Sequence, residues 1–157
     1  MPSPSKTFPL ILTFSELFQI GDSIVRVGGD TRILGEVSES GEWRCAAVSA
    51  GGVDEGGATL GDAHRAVRNE VRLVLEDCAH GVSSVEAFAE QVRRVFSSTH
   101  GDLEREWNEA LSRVRAGKCT RDSGTEKLPV KLATDMREVS VGLVSEPAGV
   151  ENLEKAA

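Results

Sequence analysis

WRCAAVSAGGVDEGGATLGDAHRAVRNEVRLVL, residues 43–75, places a short strand, a glycine-rich connector and an amphipathic helix one after another. Trp43, Cys45 and Ala47 alternate with Arg44 and Ala46, the two-residue period of a strand with one buried face. Residues 51–57 read as a flexible acidic connector. At Thr59 the pattern becomes helical. The Thr59 hydroxyl can accept from an N–H two or three residues on, and Asp62 puts a carboxylate in the first turn, where unpaired N–H groups and the helix dipole favour negative charge. The arrangement is a capping box with Asp in place of Glu or Gln. Leu60, Ala63, Val67, Val71, Val74, Leu75 and Cys78 then recur at helical spacing, with Arg65, Arg68, Arg72, Glu76 and Asp77 on the rest of the cylinder. The spacing predicts one helix over 59–78, packed on a sheet.

Working outward, residues 10–18 read as a strand in preference to a short helix opening at Thr13. Three further β-compatible runs, 23–27, 32–37 and 42–48, are separated by Gly28-Gly29-Asp30 and Ser38-Glu39-Ser40-Gly41, both good turn compositions. Three or four antiparallel strands in a meander are expected, with Ile33 and Leu34 on opposite faces. Beyond the first helix, Ser83-Ser84-Val85-Glu86 is a capping box with Glu at the third helical position, followed by an apolar stripe of Val85, Phe88, Ala89, Val92, Val95 and Phe96. A third helix follows His100-Gly101, with Asp102 as its cap and Leu103, Trp107, Ala110, Leu111 and Val114 inside. Together the last two read as a helical hairpin. The fold class is α+β.

A chain of 157 residues with 39% hydrophobic content is long enough for one domain with a real core. The expected layout is a flexible Ser/Pro-rich N-terminus over 1–7, an α+β domain over 8–117, and a tail over 118–157. The tail holds one short apolar run at 128–132, is sparse in large apolar groups, and is expected to add little stability until a partner orders it. The net charge is −7, and the first 58 residues hold four basic side chains against eight acidic ones. Such a chain is poorly suited to a phosphate backbone and better suited to a basic protein partner.

Three cysteines, Cys45, Cys78 and Cys119, are odd in number and widely spaced, so they read as reduced thiols. The apolar run 8–14 is far shorter than a membrane span and lacks a signal-peptide layout, so a cytoplasmic location is expected. His64, His80 and His100 are the candidates for acid–base work. No Ser or Cys accompanies His64 at a spacing that fixes a triad, and His80 and His100 each precede a glycine where a helix should end. The segment 51–57 contains neither GxxxxGK[ST] nor GxGxxG, and Asp54 and Glu55 would repel an anion there. No catalytic residue, metal site or cofactor is expected, and hence no enzyme. Direct nucleic-acid binding is not expected either, since a recognition helix opening Asp102-Leu103-Glu104-Arg105-Glu106 would present carboxylates to phosphates.

The segment 41–75 resembles the core of the HicB-like antitoxin family, a strand and glycine-containing loop followed by a Gly-x-Thr-x-x-acidic-Ala helix start. Here that start is Gly57-Ala58-Thr59-Leu60-Gly61-Asp62-Ala63, with Ala66 and Val67 in the apolar places that follow. The family's loop proline and preceding acidic residue are absent, since Val48 leads into Ser49-Ala50-Gly51-Gly52. The resemblance implies a partial RNase H-like core without catalytic carboxylates, acting in a toxin–antitoxin system by covering a basic, RNA-targeting toxin. No ribbon-helix-helix or helix-turn-helix follows the core, so the family's DNA-binding autoregulation is not carried over. Glu42, Asp54 and Glu55 are the expected partner-binding residues. The competing expectation is a structural or assembly subunit that forms oligomers through Phe88, Phe96 and Trp107 of its helical hairpin.

Overall fold

The backbone of the fold is a single long hairpin. Strands β1 (Lys6–Ile20) and β2 (Ser23–Val37) pair antiparallel from Lys6 opposite Val37 to Ile20 opposite Ser23, closed by the two-residue turn Gly21-Asp22. At about 3.3 Å per residue each strand is roughly 50 Å long. The computed structural model describes residues 6–116 and 136–145. The expectations for residues 1–5, for the apolar run 128–132 and for the remainder of the tail lie outside these.

Gly28-Gly29-Asp30 is not a turn but the middle of β2. Its composition serves another purpose, the close approach of a distant segment. A Cβ on Gly29, whose φ is +153°, would lie 2.7 Å from the Val139 Cα and 2.8 Å from the Glu138 carbonyl oxygen. The Asp30 side chain is fully buried. Its Oδ1 accepts from Thr13 Oγ1 at 2.6 Å and its Oδ2 from the Arg137 N–H at 2.8 Å, while the Asp30 N–H donates to the Arg137 carbonyl at 2.9 Å. These bonds seat residues 137–139 on the sheet and start strand β5 (Ser140–Ser145), which pairs antiparallel with β2 from Gly28 opposite Ser140 to Ile24 opposite Ser145, through a register shift between Ile24 and Val25. Part of the segment read as a tail is therefore a strand of the free chain.

On the same edge of β2, β3 (Trp43–Ala47) pairs with residues 33–37, and β4 (Asp54–Gly57) pairs in turn with β3. The acidic connector is thus half strand. The sheet order is β1-β2-β3-β4, with β5 beside the other half of β2.

Helix α1 (Leu60–Ala79) starts as its sequence predicts: Thr59 Oγ1 accepts from the Asp62 N–H at 3.1 Å. Gly57 is required just ahead of it, because a Cβ there would meet the Ala63 nitrogen at 2.6 Å. Helix α2 (Val85–Ser97) is capped by Ser84, which accepts from the Ala87 N–H at 3.1 Å, so the cap lies one residue later than Ser83 and Glu86 occupies the second helical position. Helix α3 (Gly101–Arg115) is capped by His100, whose Nδ1 accepts from the Leu103 N–H at 3.4 Å, and Asp102 lies inside its first turn. No described helix is long and apolar enough to cross a membrane.

The main core joins Phe8, Leu12, Phe14, Val25, Val27, Ile33, Trp43 and Cys45 of the sheet to Val67, Val71 and Leu75 of α1 and to Phe88 and Val92 of α2. A second cluster holds Leu34, Val48 and Trp107, with Ile11, Leu103 and Leu111 against it. Ile33 and Leu34 are neighbours in one strand, so their side chains leave opposite faces. Helix α3 therefore covers the face opposite α1 and α2, and the expected pairing of α2 with α3 as a hairpin gives way to two helices separated by the sheet. The cause is Trp107: its ring finds an apolar site at Ile11 and Leu34, and its N–H finds the Leu10 carbonyl at 3.0 Å.

Candidate functional site

The outermost strand, β4, brings two of the three sequence-selected carboxylates to the sheet edge and parts them. Asp54 lies opposite Ala46 and Glu55 opposite Cys45, so the two side chains leave opposite faces of the strand. Asp54 is exposed and bound by Arg44, whose Nε approaches Oδ1 at 2.8 Å. That hydrogen bond and the attraction of the Asp54 charge hold the Arg44 guanidinium above its usual pKa, with Glu36 adding to the effect from the facing position on β2. Glu55 is half-buried beside the N-terminal end of α1, and Glu42 is exposed just before β3.

Local bonds hold this rim in shape. The Ser38 N–H donates to the Glu42 carbonyl at 3.0 Å and the Glu42 N–H donates to Ser38 Oγ at 3.2 Å, closing the loop between β2 and β3. Glu42 and Glu55 make no ion pair among the described residues. The sheet end thus sets Asp54 and Glu36 beside the Arg44 guanidinium, with Glu42 on the adjoining loop and Glu55 on the opposite face. Sequence reasoning omitted Glu36 and Arg44, although Arg44 sits within the quoted strand. The signal that ties them together is cross-strand register, which two separate runs of sequence do not display.

The connector ahead of β4 is fixed rather than loose. The Ala47 N–H donates to the Val53 carbonyl at 2.8 Å, the Ala50 N–H to the Val95 carbonyl at 3.2 Å, and the His100 N–H to the Val48 carbonyl at 2.8 Å. The loop is thereby tied to the C-terminal end of α2 and to the start of α3.

Among the described residues the histidines and cysteines take local structural positions. His64 is half-buried, and burial lowers its pKa, helped by the charge of Arg68 and opposed by hydrogen bonding to the Ile11 backbone. His80 ends α1 through its backbone N–H, which donates to the Glu76 and Asp77 carbonyls, and His100 caps α3. Burial pushes the Cys45 thiol up to about 11, with the Asp54 charge adding to it, and burial likewise raises Cys78. Such thiols are poor nucleophiles at neutral pH. Among the described residues no group of three or more His, Cys, Asp or Glu side chains converges where a metal ion could sit.

This chain matches no family model, no curated protein and no solved structure. The site is accordingly read from its own geometry.

Proposed function

We propose that this chain is a non-catalytic binding protein that covers a basic protein partner, in the manner of a HicB-like antitoxin neutralising an RNA-targeting toxin, with the contact centred on Glu42, Asp54 and Glu55. One observation carries the reading: the acidic end of the sheet coincides with its last strand, β4. An outer strand presents ladder N–H and C=O groups that a partner segment can engage, and the surrounding carboxylates choose a basic one. Asp54 is already matched by Arg44, so Glu42, Glu55 and Glu36 supply the uncompensated charge.

The helical route to assembly finds less support. Phe88 and Trp107 are in the interior, and Phe96 stacks on Phe14 with ring centroids 5.4 Å apart. An oligomer contact through these aromatics would require the core to open.

The test is co-purification of the full chain with its cytoplasmic partners, followed by association kinetics with any basic protein recovered. Exchanging Glu42, Asp54 and Glu55 for lysine is expected to slow association at low salt by roughly an order of magnitude or more and to flatten its salt dependence, with circular dichroism unchanged. An association rate indifferent to both the exchange and ionic strength would reduce the rim to an ordinary solvated surface.

A further inference from the structure

We propose a second binding site at the opposite end of the hairpin, a groove that takes an acidic side chain of a peptide together with its apolar neighbours. The groove has a volume of about 290 Å³ and runs between β1 and β5 across β2, with Ser15, Arg26, Gly28, Arg137, Ser140 and Leu143 among its walls. Helix α3 covers only the Ile11 and Leu34 end of this sheet face. Toward the hairpin tip no described helix lies on it.

Register explains its shape and charge. Gly28 is flanked by Ser15 on β1 and by Ser140 on β5, so a residue without a side chain sits between two hydroxyls. Two positions along, Arg26 is flanked by Leu17 and Gly142, neither of which offers a side-chain acceptor. Arg26 is exposed and has no ion-pair partner among the described residues. In a chain of net charge −7, an unmatched guanidinium over a glycine floor is a feature that calls for an anion from outside.

The surroundings narrow the anion. Arg137 lines the groove, but its Nε is 3.8 Å from the buried Asp30 carboxylate, and Glu138 is also part of the wall. These two carboxylates oppose a dianion such as phosphate and leave room for one negative charge. Leu17, opposite Arg26 on β1, and Val144, in the groove wall, are 58% and 38% exposed, large apolar groups on either side of Arg26. A carboxylate on a peptide with apolar flanking residues satisfies the guanidinium and covers this apolar surface in one contact.

The test is an amide NMR titration of the full chain with the blocked peptide acetyl-Leu-Glu-Leu-amide, its Leu-Gln-Leu counterpart, and inorganic phosphate. The glutamate peptide is expected to shift the Gly28, Ser140 and Gly142 amides saturably. The glutamine peptide and the Arg26→Gln variant should each weaken binding by about tenfold or more, the loss of one charge-assisted contact. The Arg26 side chain makes no hydrogen bond or ion pair among the described residues, so the remaining spectrum of the variant should superpose on the parent. Absence of saturable shifts, equal binding of the glutamine peptide, undiminished binding by Arg26→Gln, or phosphate binding as tightly as the glutamate peptide would each overturn the proposal.

Discussion

The indole N–H of Trp107 donates to the main-chain carbonyl of Leu10 at 3.0 Å, joining α3 to β1 across 97 residues of sequence. The same ring supports the guanidinium of Arg32, whose Cζ lies 5.5 Å from the ring centroid and whose other partner is Glu104 at 3.0 Å. One side chain thus fixes which face of the sheet α3 occupies. Trp107→Phe keeps an aromatic body and deletes the donor, and is expected to cost about 1–3 kcal/mol. Trp107→Ala also opens a cavity and should cost about 3–5 kcal/mol. Urea denaturation of both variants, with hydrogen exchange read on α3, measures the difference. Equal losses would mean that the hydrogen bond contributes nothing beyond ring burial.

Val71 and Leu73 test which side of α1 is interior. Val71 is 1% exposed and Leu73 is 49% exposed. Val71→Asp buries a carboxylate without a partner and should destabilise the domain by several kcal/mol, whereas Leu73→Asp should change stability by about 0.5 kcal/mol or less. Their melting temperatures should therefore separate widely, and coincident ones would contradict the packing.

Asp30 is the anchor of β5. Removing its carboxylate by Asp30→Ala takes the acceptor from the Arg137 N–H and the Thr13 hydroxyl and should cost about 1–3 kcal/mol. Hydrogen exchange at β5 amides should rise more than exchange in α3. A chain ending at Lys118 should lose stability as well, because it uncovers Val25 and Val27, which β5 flanks. This reverses the expectation that the tail contributes little. An unchanged melting temperature for that shortened chain would show the β5 pairing to be energetically idle.

His64 gives the domain a pH dependence of definite sign. Burial and Arg68 lower its pKa in the folded state, so the unfolded chain, titrating near pH 6.5, takes up the proton first. Stability from this group is complete at pH well above 6.5 and falls as pH drops through that value toward the folded pKa. His64→Gln should show a smaller loss of urea midpoint between pH 7.5 and 5.5 than the parent chain. A larger loss in the variant would reverse the assigned direction.

Cys45 should resist alkylation in the native protein. Its thiol is buried and pushed up to about 11, so both access and thiolate fraction are low. Iodoacetamide labelling at pH 8, mapped by mass spectrometry, should modify Cys45 only after urea is added. Native labelling at the rate of an unfolded peptide would place the thiol outside the core.

Local rules made several elements legible in the sequence alone. Thr59 capping α1, the α1 stripe through Val67, Val71 and Leu75, and the inward alternation of Trp43, Cys45 and Ala47 all depend on residues within one turn or one strand of each other. Where the partner was distant the sequence was ambiguous. Gly28-Gly29-Asp30 reads as a turn by composition, and the hydrogen bonds between Asp30 and Arg137 hold it as strand instead. Asp54 and Glu55 look like one acidic pair until the β3 register sends them to opposite faces.

The sequence by itself determined the α+β class, the starts of the helices to within two residues, and the apolar face of each, because these follow from capping bonds and periodicity over short stretches of chain. Only the tertiary structure decided that α2 and α3 lie on opposite faces of the sheet, that residues 140–145 return to β2, and that the acidic rim and the Arg26 groove stand at opposite ends of one hairpin. Each of those outcomes depends on which remote segment satisfies a buried polar group or fills an apolar site, a choice made by contacts such as Trp107 with Leu10 and Asp30 with Arg137 that no local window of sequence contains.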